Sequence, residues 1–324
     1  MSIYRNRLPQ SDRLFFTDGG LETVLIFQNG IELTCFAAID LMRRPDGPDL
    51  LRDYFKPYID IASSAGAGLV LETPTWRASP DWAAPIGFQD LDELADANQR
   101  GLKLTEEIRT ANATRDTPIV VSGCIGPRGD GYDPGNLMSM AEAEAYHSWQ
   151  IGVFAAGPAD LITAVTMNNI DEAVGISRAA KAHAIPAVIS FTVETDGSLP
   201  TGDSLGQAIN AVDKATDSYP AYYMINCAHP THFAEILTRA GDWIERLGGI
   251  RANASKRSHA ELDCACDLDD GDPADLGREL AELHRRYPQL TVLGGCCGTD
   301  HRHIAEIAKG VIVRDGSSEL LSRT

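Results

Sequence analysis

Two adjacent cysteines stand in a glycine frame near the C-terminal end of the sequence, Gly294-Gly295-Cys296-Cys297-Gly298-Thr299. They follow an apolar run, residues 290–293, that reads as a buried strand. Neighbouring residues on a regular strand face opposite ways. Two adjacent thiols therefore converge on one point only where the strand has ended and the backbone bends, and glycines on both sides permit that bend. The natural target of converging thiols is a soft divalent metal, with zinc first. Another thiol, Cys227, follows a second predicted strand in Met224-Ile225-Asn226-Cys227-Ala228-His229-Pro230. Three thiolates with a fourth position open is the pattern of a catalytic zinc site rather than a structural one. Zinc held in this way is a weak Lewis acid towards water and a good holder of a further thiolate. A substrate thiol, with an ordinary pKa of about 8.5, ionises at neutral pH on such a metal. Its sulfur keeps enough electron density to attack an electrophilic carbon, so alkyl transfer to sulfur is the chemistry these residues suggest.

Such a site needs a scaffold that brings distant strand ends together. Short apolar runs at 14–17, 69–73, 119–123, 161–165, 187–191, 222–225, 249–251 and 290–293 read as strands buried on both faces, the seventh with the weakest signal. Amphipathic stretches between and after them, at 51–65, 91–114, 140–156, 170–184, 205–215, 231–247, 273–286 and 300–308, read as helices. Alternation of this kind predicts a single (β/α)8 TIM barrel over residues 1–324. A doubly wound open sheet is the alternative. The Gly- and Asp-rich stretch 126–136 and the acidic stretch 254–273 read as long surface loops.

In a (β/α)8 barrel the active site lies where strands give way to the loops before helices. The polar residues at those points are Asp18, Thr73, Thr75, Cys124, Thr166, Thr192, Glu194, Asn226, Cys227, Asn253, Cys296 and Cys297. Even-numbered strands share one rim, so Cys227 after the sixth and Cys296 and Cys297 after the eighth can meet.

Composition narrows the function classes. The 324 residues carry 46 acidic against 28 basic side chains, a formal net charge of −18. That balance excludes a basic nucleic-acid-binding surface and points to solubility. The polar N-terminal segment reads as no signal peptide, and no apolar run is long enough to span a membrane. Seven cysteines without a framework rhythm are expected to stay reduced, which places the protein in the cytoplasm. The expected partners are small molecules, a thiol and an alkyl donor, and the sequence does not give the oligomeric state.

The sequence resembles the homocysteine S-methyltransferase family, zinc-dependent thiol methyltransferases of (β/α)8 fold. The likeness is carried by Asp18-Gly19-Gly20-Leu21-Glu22-Thr23, Glu72-Thr73-Pro74-Thr75-Trp76, Ser122-Gly123-Cys124-Ile125-Gly126-Pro127 and Ser190-Phe191-Thr192-Val193-Glu194. Asn226-Cys227 and the Gly294–Thr299 motif, with His303-Ile304 behind it, complete the set. The resemblance implies that Cys227, Cys296 and Cys297 bind zinc and that Asp18 lies near the amino-acid end of the substrate. Asp18, Gly19, Thr75 and Asn226 are the candidate substrate-binding residues. The default reaction it implies is methylation of homocysteine to methionine.

Several positions depart from the family pattern. Val165 stands after the fourth strand, where the family usually has a glutamate that binds the homocysteine amino group, and neither Ala164 nor Thr166 restores a carboxylate. Pro74, Cys124 and His301 replace a more usual asparagine, serine and proline. The acceptor is therefore homocysteine or a different small thiol. A zinc barrel lyase or hydrolase and a non-catalytic thiol- or zinc-binding protein are readings from other classes. A phosphate site at residues 294–299 lacks a preceding basic residue. Glu72 could substitute for the missing carboxylate or bond within the barrel. Cys35 is expected in the core, and Cys264 and Cys266 are expected to be incidental. His229 and His232 are expected to make hydrogen bonds near a helix start, and His303 to support the cysteine loop. Trp76 and Trp82 are candidates for the pocket wall.

Overall fold

A computed structural model describes residues 3–11, 13–265 and 267–321. Eight parallel strands close into a barrel, each hydrogen-bonded to the next and the eighth to the first. They are β1 (Phe15–Phe16), β2 (Gly68–Glu72), β3 (Ile119–Ile125), β4 (Leu161–Met167), β5 (Ala187–Phe191), β6 (Tyr222–Asn226), β7 (Leu247–Ala252) and β8 (Val292–Gly295). One main helix follows each strand: α1 (Gly47–Ser64), α2 (Leu91–Asn112), α3 (Met140–Ala156), α4 (Ile170–Ala182), α5 (Leu205–Thr216), α6 (Pro230–Thr238), α7 (Pro273–Arg286) and α8 (His301–Leu321). The expected (β/α)8 barrel is the fold found, and the open sheet is excluded by the β1–β8 pairing of Phe15 with Val292 and Phe16 with Leu293.

The strands read as near-continuous apolar runs because both faces are covered. Inside the barrel, Phe15, Val70, Val120, Leu161, Val188, Met224 and Val292 pack together, one from each of seven strands. The remaining strand offers Gly249, where a Cβ would stand only 2.8 Å from the Val292 carbonyl oxygen. The lumen is thus a filled core, with the cavity confined to one end.

Most element ends fall within two or three residues of the sequence expectation; the exceptions are the start of α1 at Gly47 rather than 51, the end of α8 at Leu321 rather than 308, and the stretch 231–247. The helix there stops at Thr238, a 3-10 turn covers Asp242–Arg246, and β7 already starts at Leu247. Gly241 breaks the helical run, and Gly248 and Gly249 disguised the strand by lowering its apparent β-propensity. The acidic loop after β7 also contains a short helix, His259–Asp263, capped by Ser258 with Glu261. Among the described residues no helix is long and apolar enough to cross a membrane.

Candidate metal centre

The C-terminal ends of the strands surround a cavity of about 470 Å³. Cys227, Cys296 and Cys297 line it, and their three sulfur atoms lie within 4.8 Å of one another. The backbone explains how they meet. Cys227, one residue beyond β6, takes a left-handed conformation (φ 53°) that non-glycine residues rarely adopt. Its amide donates to Arg251 O at 3.1 Å, which ties the turn to β7.

After β8 the chain bends at Cys296–Gly298, and Gly298 has φ 79°. Gly294 and Gly295 lie inside β8, where they serve close packing: a Cβ on either would collide with the Thr17 or Thr299 hydroxyl. The bend expected from both glycine flanks is therefore made on the C-terminal side alone.

Cys227 and Cys296 form a disulfide in this structure, with Cα atoms 5.3 Å apart, while Cys297 is free. The physical reason is convergence itself: sulfurs brought close enough to share one metal are close enough to bond to each other. Disulfide and metal compete for the same sulfurs, because a metal needs them as thiolates. The Cys297 sulfur is 3.5 Å from that of Cys227, and burial pushes its thiol up to about 11. Three soft donors around one point, flanked by a cavity, are a donor set that fits a soft divalent metal such as zinc.

Tyr132, in the Gly- and Asp-rich loop, reaches over this cluster. Its hydroxyl lies 3.3 Å from the Cys227 sulfur and 3.8 Å from that of Cys297. Its ring stacks on His259 at 3.9 Å between centroids. His259 bonds Cys227 O through Nε2 at 2.7 Å and faces Glu194 through Nδ1 at 3.3 Å. The two long loops therefore meet above the thiols.

Beside the thiols lies a buried charge cluster. Arg251 on β7 donates to Asp18 Oδ1 at 2.7 Å, to the Glu72 carboxylate, and to Gly295 O at 3.0 Å. Tyr54 donates to Asp18 Oδ2 at 3.0 Å. Burial pushes the Asp18 carboxyl up to about 6, against the pull of Arg251, with Glu72 adding to the rise. Glu72 thus bonds within the barrel rather than standing free.

The sequence-predicted residues all reach this end of the barrel, in different roles. Asp18 and Gly19 line the cavity. Gly19 is pressed against Thr299, so that a Cβ would come within 2.6 Å of its carbonyl oxygen. Thr75 is fully buried and donates to Cys124 O at 2.7 Å. Asn226 accepts from Thr166 N at 2.8 Å and Ser190 Oγ at 2.7 Å, and its amide faces the Cys296 sulfur at 3.7 Å. Thr75 and Asn226 line the cavity as well, and these bonds hold them in the rim. Val165 sits in the cavity wall, where the register of β4 shifts between Ala164 and Met167. Cys124 lines the wall too, its thiol pushed well above the ordinary range by burial. Trp76 lines the cavity; Trp82 does not, and packs under Arg77 at 4.3 Å.

His229 caps its helix through Thr231 N at 3.2 Å, and His232 bonds Lys256 O at 3.0 Å. His303 bonds Asp270 O at 2.9 Å and so ties α8 to the loop after β7. His301 is exposed at the start of α8. Cys35 is only partly buried and packs at the core's edge, which corrects its expected core placement. Cys264 is exposed, and Cys266 lies outside the described residues. Sequence reasoning missed Glu22, Tyr132, Arg251 and His259. The faint signal was a basic residue inside the apolar seventh strand, where only a buried partner makes arginine tolerable.

Residues 15–311 match a family model described as homocysteine S-methyltransferase. Methionine synthase from Mycobacterium leprae is 28% identical over 272 residues, 82% of this chain and 21% of that protein. The Mycobacterium tuberculosis protein of the same name is 27% identical over 272 residues, 82% of this chain and 22% of its own length. The chain thus spans about a fifth of the length of these curated relatives. Among solved structures, the metallated form of the homocysteine methyltransferase MmuM from Escherichia coli superposes with a TM-score of 0.67 at 19% identity, covering 94% of this chain and 96% of that one. Its oxidized form gives 0.68 at 20% identity, covering 92% and 96%. At that identity the likeness speaks for the barrel fold.

Proposed function

This chain belongs to the homocysteine S-methyltransferase family, and we propose that it is a zinc-dependent S-methyltransferase moving a methyl group from a sulfonium or ammonium donor to a small thiol. The observation that carries this reading is the cluster of three cysteine sulfurs at the edge of a closed-ended cavity. Cys227, Cys296 and Cys297 would hold zinc, which supplies thiol ionisation at neutral pH.

The chain's other residues supply orientation and a dry site. Methyl transfer is an in-line displacement: a sulfur–carbon bond forms, the donor's bond to methyl breaks, and the donor leaves with the electron pair. Such a step needs alignment more than acid or base help. A cavity of about 470 Å³ has room for two small molecules. Trp76, Phe36 and Tyr132 wall it with rings that exclude water, while Asp18 and Gly19 present polar groups on the β1 side. Tyr132 is placed to hydrogen-bond thiolate sulfur and to steady the ligand set.

Homocysteine is the first acceptor to test. A different small thiol is the second reading, favoured by Val165, an apolar wall at the end of β4. Thiols that must stay reduced suit a cytoplasmic setting. The test is an assay of reduced, zinc-loaded protein with homocysteine and a panel of sulfonium and ammonium donors, read by mass spectrometry of the methylated thiol. Methionine formation supports the default reaction, and methylation of another thiol supports the second reading. Turnover of a donor without any thiol, or no methylated thiol at all, contradicts both.

A further inference from the structure

Among the described residues the cavity wall contains six carboxylates, and five of them are engaged. Asp18 and Glu72 share Arg251. Asp130 pairs with Arg77 at 2.9 Å. Asp269 accepts from Ser255 at 2.7 Å and faces Arg257 at 3.5 Å. Asp267 also has a partner. The sixth, Glu22, has no ion pair and no side-chain hydrogen bond among the described residues; the backbone amides of Glu22 itself and Ala38 are the groups that favour its charged form. It follows Gly19-Gly20, whose backbone packs on Thr299 and Cys296, so it is fixed beside the thiol cluster. It is partly open to the cavity and enclosed by protein elsewhere.

A carboxylate held in this way lacks both full hydration and a counter-charge. Burial pushes it up to about 7, and Asp18 adds to the rise against Arg251. The surroundings do not relieve it, because the single guanidinium of Arg251 already faces two carboxylates. Aromatic faces of Phe36, Trp76 and Tyr132 line the same space, and such faces favour cations. What completes this arrangement is a positive charge brought in by a ligand.

We propose that Glu22 is the receptor for a cationic centre on a substrate, the ammonium of an amino-acid thiol or the onium of the methyl donor, and so a specificity-determining residue of this site. The inference rests on the methyltransferase reading for its choice of ligands, but its test is scored on charge alone.

Calorimetric titration of reduced, zinc-loaded wild type, Glu22→Gln and Glu22→Asp decides it, using ligand pairs that differ by one positive charge. The acceptor pair is L-homocysteine and 4-mercaptobutanoate. The donor pair is dimethylsulfoniopropionate and its neutral sulfide, 3-(methylthio)propanoate. Wild type is expected to prefer the charged member of one pair by about tenfold or more, the scale of a charge-assisted hydrogen bond. Glu22→Gln loses the preference at unchanged zinc content, and Glu22→Asp keeps part of it. The pair in which the loss occurs identifies the source of the charge. Equal discrimination by wild type and Glu22→Gln overturns the proposal, as does a wild type that discriminates in neither pair. Failure of the methyltransferase reading shows separately, as absence of methylated thiol in the turnover assay.

Discussion

Each end of the barrel buries a guanidinium against carboxylate, and the two ends solve the problem differently. At the end where the strands begin, Asp160 accepts from the amides of Ile3 at 2.7 Å, Tyr4 at 2.9 Å and Val121 at 2.9 Å, and from Arg109 at 2.8 Å. Four donors meet one carboxylate, so every lone pair has a partner and nothing is left for a ligand. At the other end, one guanidinium is divided between Asp18 and Glu72, with Glu22 nearby, and the thiols complete an electron-rich wall. A saturated buried charge ties the fold together; an unsaturated one beside a cavity is a binding site in waiting.

The largest effect that would break this comparison comes from the thiols. Cys297→Ala should abolish stoichiometric zinc retention and turnover together while the far-ultraviolet circular dichroism stays native. Retained turnover in the metal-free variant contradicts the site. Next comes the saturated end: Asp160→Ala removes the carboxylate that Arg109 meets at 2.8 Å and strips the Ile3, Tyr4 and Val121 amides of their acceptor, and should cost about 3–5 kcal/mol of unfolding free energy by urea titration. Zinc per folded molecule should not change, and a variant that loses zinc in proportion to stability would join the two ends that the structure separates.

A smaller effect is pH dependence. Asp18 is raised from 3.8 to about 6 and Glu22 from 4.5 to about 7, both chiefly by burial. With folded values above unfolded ones, the native state binds more protons between about pH 4 and 7, so these groups make stability fall as pH rises through that window. Asp18→Asn should flatten that part of the slope in reduced, metal-free protein; an unaltered slope would show Asp18 to be as well satisfied as Asp160. The smallest effect belongs to Tyr132→Phe, which keeps the stack on His259 and removes the hydroxyl. Zinc affinity, measured by chelator competition, should fall by about tenfold, and no change would make the hydroxyl a spectator.

The barrel was legible in the sequence because each strand is a local apolar run and each helix a local amphipathic one. The thiol site was legible because three cysteines follow predicted strand ends. The charge cluster was not, since Arg251 meets Asp18 across 233 residues and Glu72 across 179, and no local pattern announces such a meeting. Tyr132 was hidden for another reason: it sits in a loop whose glycines and aspartates read as surface, and only the fold turns that loop back over the sulfurs. Asp18 was found by its rim position, but that it is clamped by Arg251 and Tyr54 follows from packing alone.

The central claim is that Cys227, Cys296 and Cys297 hold zinc with one position left for a thiol. X-ray absorption on reduced, zinc-loaded protein tests it directly, by counting zinc–sulfur bonds before and after addition of homocysteine and of other small thiols. The account predicts three sulfurs rising to four with the thiol that is the acceptor. Protein purified reduced and without chelator that holds no stoichiometric zinc, or zinc whose sulfur count no thiol changes, would contradict it.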